Sequence, residues 1–143
     1  MGSIRHTGIY VNDMETMVSF YQNIFDLDIS VRQIEKGIVT DTMFGEPNMV
    51  IDVCKLKFPD GGMLELIHCM REFQEKGKLE KIYSVGQMHI AITVESADSI
   101  YEELHRKGCK VLSNPCRSED GKVKVFFAQD PECNYLEIVE EII

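Results

Sequence analysis

An internal repeat constrains this chain more than any other feature. The segment Arg5-His6-Thr7-Gly8-Ile9-Tyr10-Val11 has its counterpart in Gln87-Met88-His89-Ile90-Ala91-Ile92-Thr93-Val94. The offset is 89 − 6 = 83, and it carries His6 to His89, Gly8 to Ala91, Ile9 to Ile92 and Val11 to Val94. A second pair recurs later: Leu64-Glu65-Leu66 matches Leu136-Glu137-Ile138 at 137 − 65 = 72. All four stretches alternate in character with a period of two, as strands do. In the first pair, Ile9 and Val11, like Ile90, Ile92 and Val94, make an apolar face. His6 with Gly8, and His89 with Ala91 and Thr93, make an open one. In the second pair the leucines and isoleucine make the apolar face, so Glu65 and Glu137 turn to the other side. Each half thus begins with a histidine strand and ends with a glutamate strand.

Between these markers the halves read alike. Asn12 is placed as an N-cap answered by Glu15, ahead of a helical stripe at Met14, Met17, Val18, Tyr21, Ile24 and Phe25. Strands follow over 27–34, with Leu27, Ile29 and Val31 on one face, then over 49–58 and 63–69. The segment 35–48 reads as a loop with a turn of helix near Met43-Phe44, long enough to wall a substrate site. Pro59-Asp60-Gly61-Gly62 is a turn by composition. In the second half Ser96 caps a helix carrying Ala97, Ile100, Tyr101 and Leu104, which Gly108 stops. A short strand over 109–112, a loop over 113–121, a strand over 122–129, a turn at 130–134 and a strand over 135–140 complete it. The expected organisation is one domain over 1–143, with module 1 at 4–69, module 2 at 86–141 and an ordered, partly helical connector at 70–85 around Phe73.

Composition narrows the function. Lys and Arg number 15 against 24 Asp and Glu, a net charge of −9. That field repels a phosphate backbone or an anionic bilayer, so nucleic acid and membrane partners are set aside. Five cysteines, an odd number with no Cys-x-x-Cys, and no secretory leader point to free thiols in a reducing cytoplasm. No apolar run reaches the ~20 residues a membrane helix needs.

The chemistry rests on His6, Glu65, His89 and Glu137. A strand glutamate between large apolar residues is costly to bury without a partner. Taken singly, each of the four is more ordinarily a solvated or structural residue. Their recurrence at matched positions, on one face, favours a divalent cation held by two imidazoles and two carboxylates. Such an N₂O₂ set suits Ni, Zn, Co, Mn or Fe and leaves positions for water or substrate. His68 has the opposite parity to Glu65, and His105 lies on a helix among charges, so both are read as structural or exposed.

With these residues in place, the chain resembles the vicinal oxygen chelate superfamily. That group includes glyoxalase I, methylmalonyl-CoA epimerase, extradiol dioxygenases, fosfomycin-resistance enzymes and bleomycin-binding proteins. The matching segments are 4–7, Phe20-Tyr21, Leu64-Glu65-Leu66, His89-Ile90-Ala91, Asp130-Pro131 and Leu136-Glu137-Ile138. The resemblance implies an α+β fold of two tandem βαβββ modules forming a cupped mixed sheet. It also implies one divalent metal ion, a small-molecule substrate and a homodimer. The order His6, Glu65, His89, Glu137 is similar to that of bacterial-type glyoxalase I. The implied activity is a metal-dependent lyase or isomerase that removes a proton next to a carbonyl and passes through an enediolate. Glu137 and Glu65 would be the catalytic carboxylates. An epimerase acting on an acyl-CoA or a cyclitol-like ketone is the alternative, since the stretch 55–62 resembles that branch. A metal-free small-molecule-binding protein and a non-haem iron dioxygenase are further alternatives. Where glutathione-dependent members place a basic residue and an amide, this chain has Tyr10 and Cys69, which points away from glutathione.

Overall fold

In the computed structural model, which describes residues 1–71 and 81–142, the chain forms two compact units, Met1–Glu75 and Lys76–Ile143. The connector residues around Phe73 lie outside the described residues.

The first unit runs β1 (Thr7–Tyr10), α1 (Met14–Phe25), β2 (Asp28–Lys36), α2 (Ile38–Phe44), β3 (Val50–Lys57) and β4 (Met63–Cys69). Its sheet has the order β1-β4-β3-β2; β1 is parallel to β4 and the other pairs are antiparallel. The second unit runs β5 (His89–Thr93), α3 (Ala97–Arg106), β6 (Cys116–Arg117), β7 (Val123–Gln129) and β8 (Tyr135–Glu141). Its order, β5-β8-β7-β6, repeats the first, again with only the outer pair β5 and β8 parallel. The helix after the first strand of each unit is the crossover that lets that strand pair in parallel with the last. The fold is therefore α+β, with two mixed four-stranded sheets.

Parity determines which face each helix covers. In the first unit α1 packs on β3 and β4, and Met17, Tyr21, Cys54, Leu56, Leu64 and Leu66 are fully buried. In the second, α3 packs on β7 and β8 over Phe126, Leu136 and Ile138, and the Tyr101 ring stands edge-on to Phe126 at 5.7 Å. The opposite face of each sheet carries the histidine and the glutamate.

Several local expectations change. The cap of α1 is Asp13, not Asn12: its carboxylate accepts the Thr16 backbone N–H at 3.0 Å and the Thr16 hydroxyl at 2.7 Å. Those bonds hold the Asp13 carboxyl below its ordinary range. Glu15 is turned instead to Arg32, at 2.8 Å. Phe20 is buried in the α1 stripe, whereas Phe25 is only partly so. A register shift between Ile29 and Val31 breaks the single face expected for β2: Ile29 pairs with Leu56 and Val31 with Lys55, which are consecutive residues of β3. The turn expected near Met43-Phe44 is the last part of α2, bracketed by Gly37 and Gly45 at positive φ. It has no side-chain N-cap bond and is held from behind, where Asp41 accepts the N–H groups of Asn48 and Met49. Residues 109–112 are not a strand. They contribute one bridge, Val111 to Ala128, before Ser113-Asn114-Pro115 leads away, and the two-residue β6 lies inside the expected loop.

The α3 boundaries match expectation. Ser96 accepts the Ser99 N–H at 3.2 Å. Gly108, at φ +75°, donates to the His105 carbonyl while Cys109 donates to that of Leu104, a Schellman closure. Ser96→Ala is expected to cost about 1 kcal/mol, read as a lower urea midpoint with an unchanged m-value.

Candidate functional site

In each unit the parallel strand pair positions one imidazole beside one carboxylate. Gly8 is the ladder partner of Glu65, and Ala91 that of Glu137. The residue beside each glutamate is thus small. The histidine lies two positions earlier on the same face, so its ring reaches across. His6 Nε2 is 3.6 Å from Glu65 Oε2, and His89 Nε2 is 3.0 Å from Glu137 Oε2. His6 stands just before β1, and His89 is the first residue of β5.

The two glutamates differ in setting. The Glu65 side chain is 13% exposed and that of Glu137 is 28%. Glu65 faces Lys55 across the β3–β4 ladder, with Nζ 3.7 Å from Oε2. Glu137 faces Phe127 across the β7–β8 ladder, and that ring stands edge-on to His89 at 5.3 Å. Lys55 and Phe127 join the site without a motif to mark them. Their signal was parity: counted along its strand, each falls on the face of its glutamate.

Beyond Lys55 the same face of the first sheet becomes apolar. Met49, Ile51, Val53 and Ile67 form a buried cluster, with Phe44 of α2 packed against it. α2 therefore covers one end of this face. Among the described residues, the second unit has no helix between β5 and β7 other than α3.

The other titratable candidates fall outside the site. The His68 ring is bonded to the Val11 carbonyl at 2.9 Å and ties β4 to the end of β1. His105 stacks on Tyr101 along α3. Burial pushes the Cys54 and Cys109 thiols up, which keeps them protonated and unreactive.

The structure brings together His6 with Glu65 and His89 with Glu137. Among the described residues, no group of three or more His, Cys, Asp and Glu side chains could hold a metal ion. The donor chemistry of each pair nonetheless fits a divalent cation. A borderline imidazole nitrogen and a hard carboxylate oxygen lie side by side in each, donor types that a divalent cation accepts together. No helix among the described residues is long and apolar enough to cross a membrane.

Comparison with known proteins converges on one group. The family model described as the Glyoxalase/Bleomycin resistance protein/Dioxygenase superfamily matches residues 3–138. Two curated relatives from Bacillus subtilis are similar. The uncharacterized protein YraH is 26% identical over 91% of each chain, and the uncharacterized protein YwbC is 24% identical over 96% of each. Among solved structures, a glyoxalase family protein from Bacillus cereus aligns over 98% of this chain and 94% of its own, at TM-score 0.89 and 18% identity. The trypanothione-dependent glyoxalase I of Leishmania major aligns over 99% of this chain and 88% of its own, at TM-score 0.67 and 19% identity.

Proposed function

Since the chain belongs to the Glyoxalase/Bleomycin resistance protein/Dioxygenase superfamily, we propose that it is a divalent-metal-dependent lyase or isomerase of glyoxalase I type. Its substrate is a small carbonyl compound with a second oxygen on the neighbouring carbon. The observation that carries this reading is the recurrence of one imidazole–carboxylate pair in both units, on the sheet face opposite α1 in the first and α3 in the second. His6 with Glu65 in the first unit, and His89 with Glu137 in the second, are the metal-ligating residues of this reading. When bound there, a divalent ion would supply Lewis acidity toward the substrate's oxygens.

The chain's own residues do the proton work. Glu137 takes the proton from the carbon next to the carbonyl, and a carboxylate returns it to the neighbouring carbon. The Phe127 ring, edge-on to His89 at 5.3 Å, limits how far the imidazole can swing. Return of the proton to the other face of the same carbon would give an epimerase instead, and the same residues serve. The active species is proposed to be a homodimer.

Metal content decides the first step. Protein purified without chelator is expected to carry about one divalent ion per chain. It should also exchange deuterium from solvent into a hemithioacetal, an acyl-CoA thioester or a keto-cyclitol. No retained metal, together with no thermal stabilisation on adding Ni, Co, Zn or Mn, would overturn the metal-dependent reading in favour of a binding protein.

A further inference from the structure

The repeat is broken at one rung of the site face. Lys55 pairs with Glu65 and Phe127 with Glu137, and both offsets are the same: 127 − 55 = 72 and 137 − 65 = 72. One rung further the units agree again, with Val53 beside Ile67 and Val125 beside Val139. At the glutamate rung, then, one unit has an ammonium where the other has an aromatic ring.

The charge count gives this difference a use. On the glutamate rung of the first unit Glu65 carries one negative charge, which a cation held there would take up. Lys55 adds one positive charge. At 3.7 Å its ion pair with Glu65 is longer than a hydrogen bond, and the side chain is 30% exposed. Once Glu65 is committed to a cation, its attraction for Lys55 weakens. The ammonium then has three donors to offer along the same face. On that face Val31 lies beside it on β2 and Val53 precedes it on β3, while the exposed Lys57 follows two residues on.

We propose that Lys55 is the specificity-determining residue of the site, and that it binds an anionic group, carboxylate or phosphate, carried by the substrate beside its oxygen pair. The inference rests on the metal-dependent reading above and narrows its substrate class to acids or phosphate esters of α-oxygenated carbonyl compounds.

Calorimetry on nickel-loaded protein tests it with three hydroxamates that share one chelating oxygen pair. Acetohydroxamate has no second anion, malonic monohydroxamate has a carboxylate, and phosphoglycolohydroxamate has a phosphate. Wild type is expected to bind at least one charged probe about tenfold more tightly than acetohydroxamate, and the tighter of the two identifies the group. Lys55→Met should erase that preference while its nickel content stays at the wild-type level, and Lys55→Arg should keep most of it. A nickel-loaded wild type without preference, or a preference that survives Lys55→Met, overturns the inference alone. A chain that takes up no nickel overturns the metal reading, and this inference falls with it.

Discussion

In Glu65→Gln and in His89→Ala, metal affinity is expected to fall by more than about 100-fold, so that the purified variants hold almost none. Substitutions behind a ligand already cost roughly 10–100-fold, and these remove the ligand itself. Gln keeps the shape of Glu65 and loses only its charge and one acceptor, so the sheet around it should stay intact. His89→Ala removes a ring that is 41% exposed and whose close neighbours are Glu137 and Phe127, so little packing is lost. His68→Ala and His105→Ala provide the contrast. The first breaks a bond to the Val11 carbonyl and the second a stack on Tyr101, and both should retain wild-type metal. Metal measured by plasma emission on all four variants checks the assignment. Equal loss in His68→Ala or His105→Ala would show that the wrong histidines have been chosen.

Leu66→Ala is expected to destabilise the protein by about 3 kcal/mol, the middle of the range for a leucine truncated in a packed core. Leu66 is fully buried on β4, between Ile9 of β1 and Cys54 of β3 in the ladder, on the face that α1 covers. With neighbours on the sheet and a helix above, the vacated space cannot collapse without shifting an element. Ile34→Ala is the matched control. Ile34 is 52% exposed on the edge strand β2, and its loss should cost under about 0.5 kcal/mol. Guanidinium titration of both variants separates them. Similar midpoints would mean that the α1 face is not the core of this unit.

The parts of the molecule that were legible beforehand are those governed by one period. Leu64, Leu66, Leu136 and Ile138 alternate with Glu65 and Glu137, and nothing in either strand interrupts the count, so the face of each glutamate followed directly. Where the period breaks, the structure departs from the sequence pattern for a physical reason. The shift between Ile29 and Val31 leaves no mark in composition. α2 lacks a side-chain cap and is seven residues long, too short to show a stripe; it exists because Phe44 has an apolar cluster to pack on. Residues 109–112 look extended but find only one bridge partner. Asn12 and Asp13 are both good caps, and the choice depended on which side chain could serve Thr16 twice. Lys55 was visible as a strand residue, but its place beside Glu65 needed the register between two strands, which no single stretch contains.

The parallel outer pair of each sheet has a consequence for the order of assembly. In the second unit the imidazole and its carboxylate lie 48 residues apart along the chain. They belong to the first and last strands of the unit, so their meeting closes its longest loop. Contacts of that span are expected to form after the hairpin of β7 and β8 and the turns of α3, because closure entropy must be met before the pairing returns anything. A ligand that bridges such a pair binds only the finished unit. It would therefore slow unfolding more than it speeds folding, and by mass action it would hold the end strands shut.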